Sequence, residues 1–401
     1  MKRFSNILAV VLVLATFVGC ENENNTPSHD HEYDADSGYI VFDAGVQQSR
    51  GVTINNSEHK DFNKFSVYAY EYKKGTDWGA WQALAKPGVF DDIPEAVEKR
   101  DGYFSYVKEE ADTLQQWSGN RYSFFAVYPE KSEATSAISY PVTEDTKGVP
   151  YVTYTVPSDP ANMVDIMTGA YFDATYAENG SYVIFNMSHR LSAVNITALN
   201  HYEYNHDNDP NTEETLVIIR ITSLNVKFDN LLYKEADIYL DKWGFEGTPT
   251  VRRPADSAEP SVSYDIIAAS GDEAFDVKNN KNDNTQSEIS GDRGKTMFFI
   301  PQELDMTNEE KTNIKVTVTG TYEKWCDSND NGTIDEEDDE QIKVDAADGV
   351  FTLSNEIFFD RNLDETYKYN VRLNFTSAAV SITVLTAEKW GEVPPIYNDF
   401  Q

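Results

Sequence analysis

Apolar and polar residues alternate with a period of two along much of this chain. The clearest runs are residues 65–70, 122–128, 151–156, 182–185, 191–198, 216–228, 314–322, 367–375 and 380–385. Such alternation sends successive side chains to opposite faces of a strand and cannot form one apolar face on a helix. The runs are rich in β-branched and aromatic residues, and clusters of Gly, Pro, Asn and Asp separate them. The chain carries 24 Tyr and 21 Phe, which suit half-buried pleated surfaces. Helical periodicity is scarce; residues 94–100 predict one short helix. No internal repeat of solenoid or propeller length is present. Many short strands of this kind predict an all-β fold built from β-sandwiches. A length of 401 residues suits two domains at about 150 residues or more each.

Charge removes several functional classes. Lys and Arg total 33 against 68 Asp and Glu, a formal net charge of −35. Phosphate backbones and anionic lipid heads are bound chiefly through Lys and Arg, so neither partner is expected. Only Cys20 and Cys326 occur, which excludes a disulfide framework.

The first residues read as an address. Lys2 and Arg3 precede an uncharged apolar run at 7–18. A membrane-spanning helix needs about 20 apolar residues, so this run has the length of a signal-peptide core. It ends in Phe17, Val18, Gly19 and Cys20, which resembles a bacterial lipobox with Phe where Leu is usual. Cys20 is then the lipidated residue. Residues 1–19 form the signal peptide and 20–38 an acidic, Asn-rich tether. A first sandwich is expected at 39–178 and a second at 179–401. The polar stretch 201–214 reads as an interdomain linker or a long hairpin loop. The Asn-rich stretch 276–292 reads as a surface loop.

The order of the remaining pieces is informative. After the lipobox comes a strand containing Tyr39, Ile40, Val41 and Phe42. A polar loop with a single arginine follows, Gln47, Gln48, Ser49, Arg50 and Gly51. Further on stand the aromatic-Ala-Val-Tyr-Pro stretch ending at Pro129 and the Phe-x-x-x-His-x-Leu-Ser-x-Val stretch from Phe185 to Val194. This series resembles the fimbrillin family, the lipoprotein pilin subunits of Bacteroidetes type V fimbriae. The resemblance implies two tandem transthyretin-like β-sandwich domains, with His189 near the start of the second. It also implies export to the cell surface as an outer-membrane lipoprotein and cleavage between Arg50 and Gly51 by an arginine-specific protease. Loss of the first strand would open an apolar groove, and a strand of the next subunit would fill it. The donor would come from the C-terminal segment. There Val380, Ile382 and Val384 share one strand face, and Trp390, Val393, Ile396, Tyr397 and Phe400 follow. The expected product is a fimbria supporting adhesion or biofilm formation, with other fimbrial subunits as partners.

One loop fits a structural calcium ion. Residues 327–338 place oxygen side chains at loop positions 1, 3, 5, 9 and 12, with Gly332 at the turn. The expected ligands are Asp327, Asn329, Asn331, the Thr333 carbonyl, Asp335 and Asp338. The flanks read as strands, so the ion would staple a connection and not drive a helix-pair sensor.

Catalytic motifs fail. Gly294, Lys295 and Thr296 lack the upstream glycine of a phosphate loop, since position 289 is Ile289. No Gly-x-Ser-x-Gly or His-Glu-x-x-His occurs. His29 and His31 lie in the tether, a poor scaffold for a metal. His189 reads as a packed or hydrogen-bonded residue. Cys326 is either buried beside Trp325 or exposed and able to cross-link. No enzyme is expected. The alternative function is a surface lipoprotein that binds glycans, with Trp78, Trp81 and Trp117 as stacking platforms.

Overall fold

A computed structural model describes residues 38–46, 62–100, 103–106, 115–204, 215–241, 251–252, 258–270, 272–279, 286–301, 315–327, 333–334, 340–342, 350–355, 367–377 and 379–389. Almost every element is a strand, as the alternation requires. In chain order the first nine are β1 (Val41–Val46), β2 (Lys64–Tyr72), β3 (Glu95–Arg100), β4 (Tyr103–Tyr106), β5 (Arg121–Tyr128), β6 (Ile138–Ser139), β7 (Tyr151–Thr155), β8 (Met167–Ala174) and β9 (Tyr182–His189). Then come β10 (Ser192–His201), β11 (Glu203–Tyr204), β12 (Thr215–Tyr233), β13 (Glu235–Tyr239), β14 (Val251–Arg252), β15 (Ala258–Ile267), β16 (Phe275–Val277) and β17 (Ser287–Glu288). The last are β18 (Met297–Phe299), β19 (Lys315–Cys326), β20 (Glu340–Ile342), β21 (Val350–Asn355), β22 (Tyr367–Thr376) and β23 (Val380–Lys389). Three four-residue helices punctuate them: α1 (Trp78–Trp81), α2 (Tyr176–Asn179) and α3 (Ile289–Asp292).

The strands sort into four sheets. Seven close into a barrel in the order β1-β4-β3-β2-β5-β8-β9. Closure depends on β1, which lies parallel to β9 through six residue pairs and meets β4 at Phe42 and Phe104. A second sheet runs β17-β10-β22-β23, with β18 also on β10, and here β10 and β22 are parallel. A third is built on the long β12 and β19, and a fourth runs β14-β13-β7-β6.

Alternation decides which core each side chain enters. On β2, Phe65, Val67 and Ala69 fill the barrel with Phe124 and Ala126 of β5. Tyr68, Tyr70 and Tyr72 point the other way, into a second core with Trp78, Phe125, Val152 and Tyr154. Both faces of β2 are therefore covered. The second core continues without a break between the second and third sheets, where Val194, Ile196, Val371 and Leu373 belong to the same cluster as Ile219, Val226, Val316 and Val318. Burial of each such side chain is worth about 1.5–3 kcal/mol relative to exposure.

Several expectations change. Residues 94–100 do not form a helix; β3 is a strand between β2 and β4, and Val97 is buried in the barrel. Pairing on both edges outweighs a weak local preference for helix. The boundary expected between 178 and 179 shifts. Strand β9 completes the barrel, so the chain passes to the second sheet at Arg190 and Leu191. Strand β7, from the first half, pairs with β13 of the second, and one core spans both. The stretch 201–214 is framed by the hairpin partners β11 and β12, which makes it a hairpin connection and not a linker. The stretch 276–292 is not simply a loop. It holds the end of β16, all of β17 and α3, with Ile289 and Ser290 buried.

Candidate functional site

The first strand carries the candidate site. Ile40, Val41 and Phe42 are buried. The strand enters through Trp117 N–H donating to the Gly38 carbonyl, 2.8 Å, and Ile40 N–H donating to the Gln115 carbonyl, 2.9 Å. Val41 N–H donates to the Ser181 carbonyl at 2.9 Å and opens the parallel ladder to β9. The Phe42 ring stacks on Phe185 at 5.7 Å and meets Phe124 and Phe90 edge-on at 5.6 and 6.2 Å. The groove under β1 is thus walled by Phe90, Phe104, Phe124 and Phe185 of the barrel core. Arg50 and Gly51, the expected cleavage pair, lie outside the described residues, as does Cys20.

The expected donor residues lie at the other end of the chain. Strand β23 is the outermost of the second sheet and runs antiparallel to β22, with Val380 opposite Phe375, Ile382 opposite Leu373 and Val384 opposite Val371. Ile382 is buried and Val380 packs on the core, while Ser381 and Thr383 are exposed. The tail beyond Lys389 lies outside the described residues.

The calcium-type loop connects β19 to β20, whose ladder brings Cys326 opposite Glu340. Asp327 is buried directly after β19, and its N–H donates to the Leu216 carbonyl at 3.1 Å. Thr333 is exposed. Asn329, Asn331, Asp335 and Asp338 lie outside the described residues. Among the described residues no group of three or more His, Cys, Asp or Glu side chains is placed to hold a metal ion. Cys326 is 1% exposed and points into the protein, away from any cross-linking partner on another molecule.

The tryptophans expected to stack on glycans serve packing. Trp78 is fully buried between Tyr70 and Phe125. Trp81 is half-buried and stacks on Tyr72 at 6.3 Å. Trp117 packs on Tyr122 and Phe124 of the barrel.

A buried polar joint sits where the barrel hands over to the second sheet. His189 Nδ1 lies 2.6 Å from Asp165 Oδ2, with both side chains buried, which agrees with the reading of His189 as a hydrogen-bonded residue. Next to it Arg190, also fully buried, donates to the Tyr239 carbonyl at 3.1 Å. Burial raises the Asp241 carboxyl to about 6, and neighbouring Arg190 only partly offsets this. Sequence reasoning singled out only His189 of this group. Apart from the adjacent Arg190, its members come from two separate segments, Asp165 and Tyr239 to Asp241, and nothing local in the sequence marks them.

The described residues define an all-β fold whose barrel is closed by its first strand. The Fimbrillin-like family model matches residues 52–390, and the chain belongs to that family. Among solved structures it is similar to a fimbrial protein from Bacteroides vulgatus, at 17% identity over 88% of this chain and 99% of that one, with a TM-score of 0.50. It is also similar to the fimbrial anchor protein Mfa2 from Porphyromonas gingivalis, at 9% identity over 88% and 97% of the two chains, with a TM-score of 0.33. No curated protein matches it. Family membership makes the chain a fimbrial subunit of the cell surface that assembles with other fimbrial subunits, and not an enzyme. No helix among the described residues is long and apolar enough to cross a membrane.

Proposed function

We propose that this subunit is exported as a lipoprotein anchored to the outer membrane through Cys20, cut after Arg50 by an arginine-specific protease, and polymerised by strand exchange into a fimbria that supports adhesion. One observation carries the reading. Strand β1 fills the barrel with Phe42 and closes it against β9, and the arginine stands four positions past the strand's last residue, Val46. A cut there frees β1 from the following chain. Its departure exposes the β9 edge and an aromatic groove, both of which an incoming extended segment satisfies by ladder bonds and apolar contacts. The donor in this reading comes from the C-terminal segment around Val380, Ile382 and Val384, whose strand is already at a sheet edge.

The test is digestion of the mature chain with an arginine-specific protease, followed by electrophoresis without boiling. A ladder of heat-labile or heat-resistant multimers is expected from the cut chain and none from Arg50→Ala. Monomers alone after complete cleavage sink the strand-exchange reading.

The loop at 327–338 is further proposed to bind calcium and to stiffen the β19–β20 connection, with Asp327, Asn329, Asn331, Thr333, Asp335 and Asp338 as ligands. The donor set is all oxygen, as a hard cation requires.

A further inference from the structure

Strands β8 and β9 form a hairpin joined by α2, yet their ladder stops after two pairs, Met167 with His189 and Thr168 with Ser188. The two strands are in contact just beyond that point. A Cβ on Gly169 would come within 3.2 Å of Phe185 Cβ and 3.3 Å of the Asn186 carbonyl. They then part. Further along, β8 carries a bulge, where Tyr122 pairs with Ala174 but Phe124 pairs with Tyr171, leaving Phe172 and Asp173 opposite one residue of β5. A bulge bends its strand and re-aims it. Asp173 holds this one in place at φ 58°, with its carboxylate accepting from Tyr72 Oη at 2.5 Å and from Trp78 N–H at 2.9 Å.

Beside the parting strands lies a cleft of two neighbouring cavities that share Tyr171 and Ile184 as lining. The mouth, about 440 Å³, is lined by Tyr171, Tyr182, Ile184, Glu178 and Asn179. The inner part, about 150 Å³, shares Tyr171 and Ile184 and adds Thr168, Asn186 and Ser188. Thr168 lines the inner part and is 2% exposed, and its hydroxyl has no hydrogen-bond partner among the described residues. Buried polar atoms are normally paired with protein or ordered water, so this hydroxyl has bonding capacity left for a ligand group or a water beside it. Asn179 Nδ2 donates to Tyr171 Oη at 2.5 Å, which fixes one wall of the mouth.

We propose that this cleft binds the ring of a neutral pyranose sugar. The chemistry is that of a ligand with one apolar face and a rim of hydroxyls. Tyr171, Tyr182 and Ile184 supply apolar surface, and Glu178, Asn179, Asn186 and Thr168 supply acceptors and donors. No Lys, Arg or His lines the cleft among the described residues, and Glu178 stands at its mouth. An anionic ligand is therefore disfavoured by charge, on a chain that already carries −35. None of Phe90, Phe104, Phe124 and Phe185, which wall the groove under β1, lines this cleft.

The experiment uses the full uncut chain and saturation-transfer NMR with three probes: methyl β-galactopyranoside, methyl α-mannopyranoside and the methyl glycoside of N-acetyl-β-glucosamine. At about 10 mM sugar, transfer to the ring protons of at least one probe is expected, with a dissociation constant in the millimolar range. Tyr182→Ser should weaken binding at least about tenfold. Asn186→Trp, a change at an exposed position that fills the cleft, should do the same and serves if Tyr182→Ser fails to fold. Absence of transfer from all three probes overturns the proposal. So does binding that survives unchanged in a folded Asn186→Trp chain. An extended peptide of residues 380–389 that protects the Ala170 and Ile184 amides from exchange, with no sugar bound at the cleft, would assign it to strand addition instead.

Discussion

Phe42 of the first strand stacks on Phe185 of the ninth with ring centroids 5.7 Å apart. The two residues are 143 positions apart in the chain, and their contact closes the barrel. The ladder that carries it, β1 on β9, has six parallel pairs, whereas β9 keeps only two pairs with β8. Strand β9 therefore depends on β1 for most of its edge bonding.

Truncating Phe42 tests this dependence. Phe42→Ala should lower the stability of the uncut chain by about 3–5 kcal/mol in urea denaturation, because it leaves a cavity among Phe90, Phe124 and Phe185. Once β1 has been cut away, the cleaved wild-type and variant chains should be indistinguishable.

Asp241 predicts a pH dependence. Its carboxyl is raised by burial from 3.8 to about 6, so the folded state holds the proton more tightly than the unfolded state does. Its effect on stability is therefore favourable at low pH and is lost as pH rises through about 6. Asp241→Asn mimics the neutral form. Thermal melts at about pH 8 should show the variant more stable than wild type, and melts at about pH 4 should show little difference.

Asp173 ties the β8 bulge to α1. Asp173→Ala removes both carboxylate bonds, to Tyr72 and to the Trp78 N–H, and leaves an alanine at positive φ. A loss of about 2–4 kcal/mol is expected. Asp173→Asn keeps an acceptor and tolerates the left-handed backbone, so its melt should fall between Ala and wild type.

Calcium should raise the melting temperature of the full chain, and excess chelator should reverse the rise. Binding to the folded state alone at about 100 times the dissociation constant adds about 2.7 kcal/mol. Asp327→Ala should abolish the calcium-dependent part. A melt unmoved by calcium in the wild type removes the ion from the account.

Much of the secondary structure was legible. The runs at 65–70, 122–128 and 367–375 fall within β2, β5 and β22, because alternation is a local property of the chain. The burial of both faces of β2 was not legible, since Tyr68, Tyr70 and Tyr72 look like solvent-facing residues until α1 and β7 cover them. Trp78 and Trp117 misled for the same reason. A tryptophan beside polar residues reads as exposed when its cover comes from a distant segment. The strand at β3 lost its helical reading to partners on both sides. Of the candidate site, the order strand, polar loop, arginine was visible in the sequence; the groove beneath the strand was not.

The sequence by itself determined that this chain is all strands, and it marked where most of those strands run. Tertiary structure alone decided which strands meet. It set β1 parallel to β9, carried β7 across to β13, moved the handover to Arg190 and ended the β8–β9 ladder after two pairs. The physical reason is range. Alternation and turn chemistry act between neighbours in the chain. Strand pairing and the packing of rings such as Phe42 and Phe185 join residues far apart, and the identity of either one does not reveal the other.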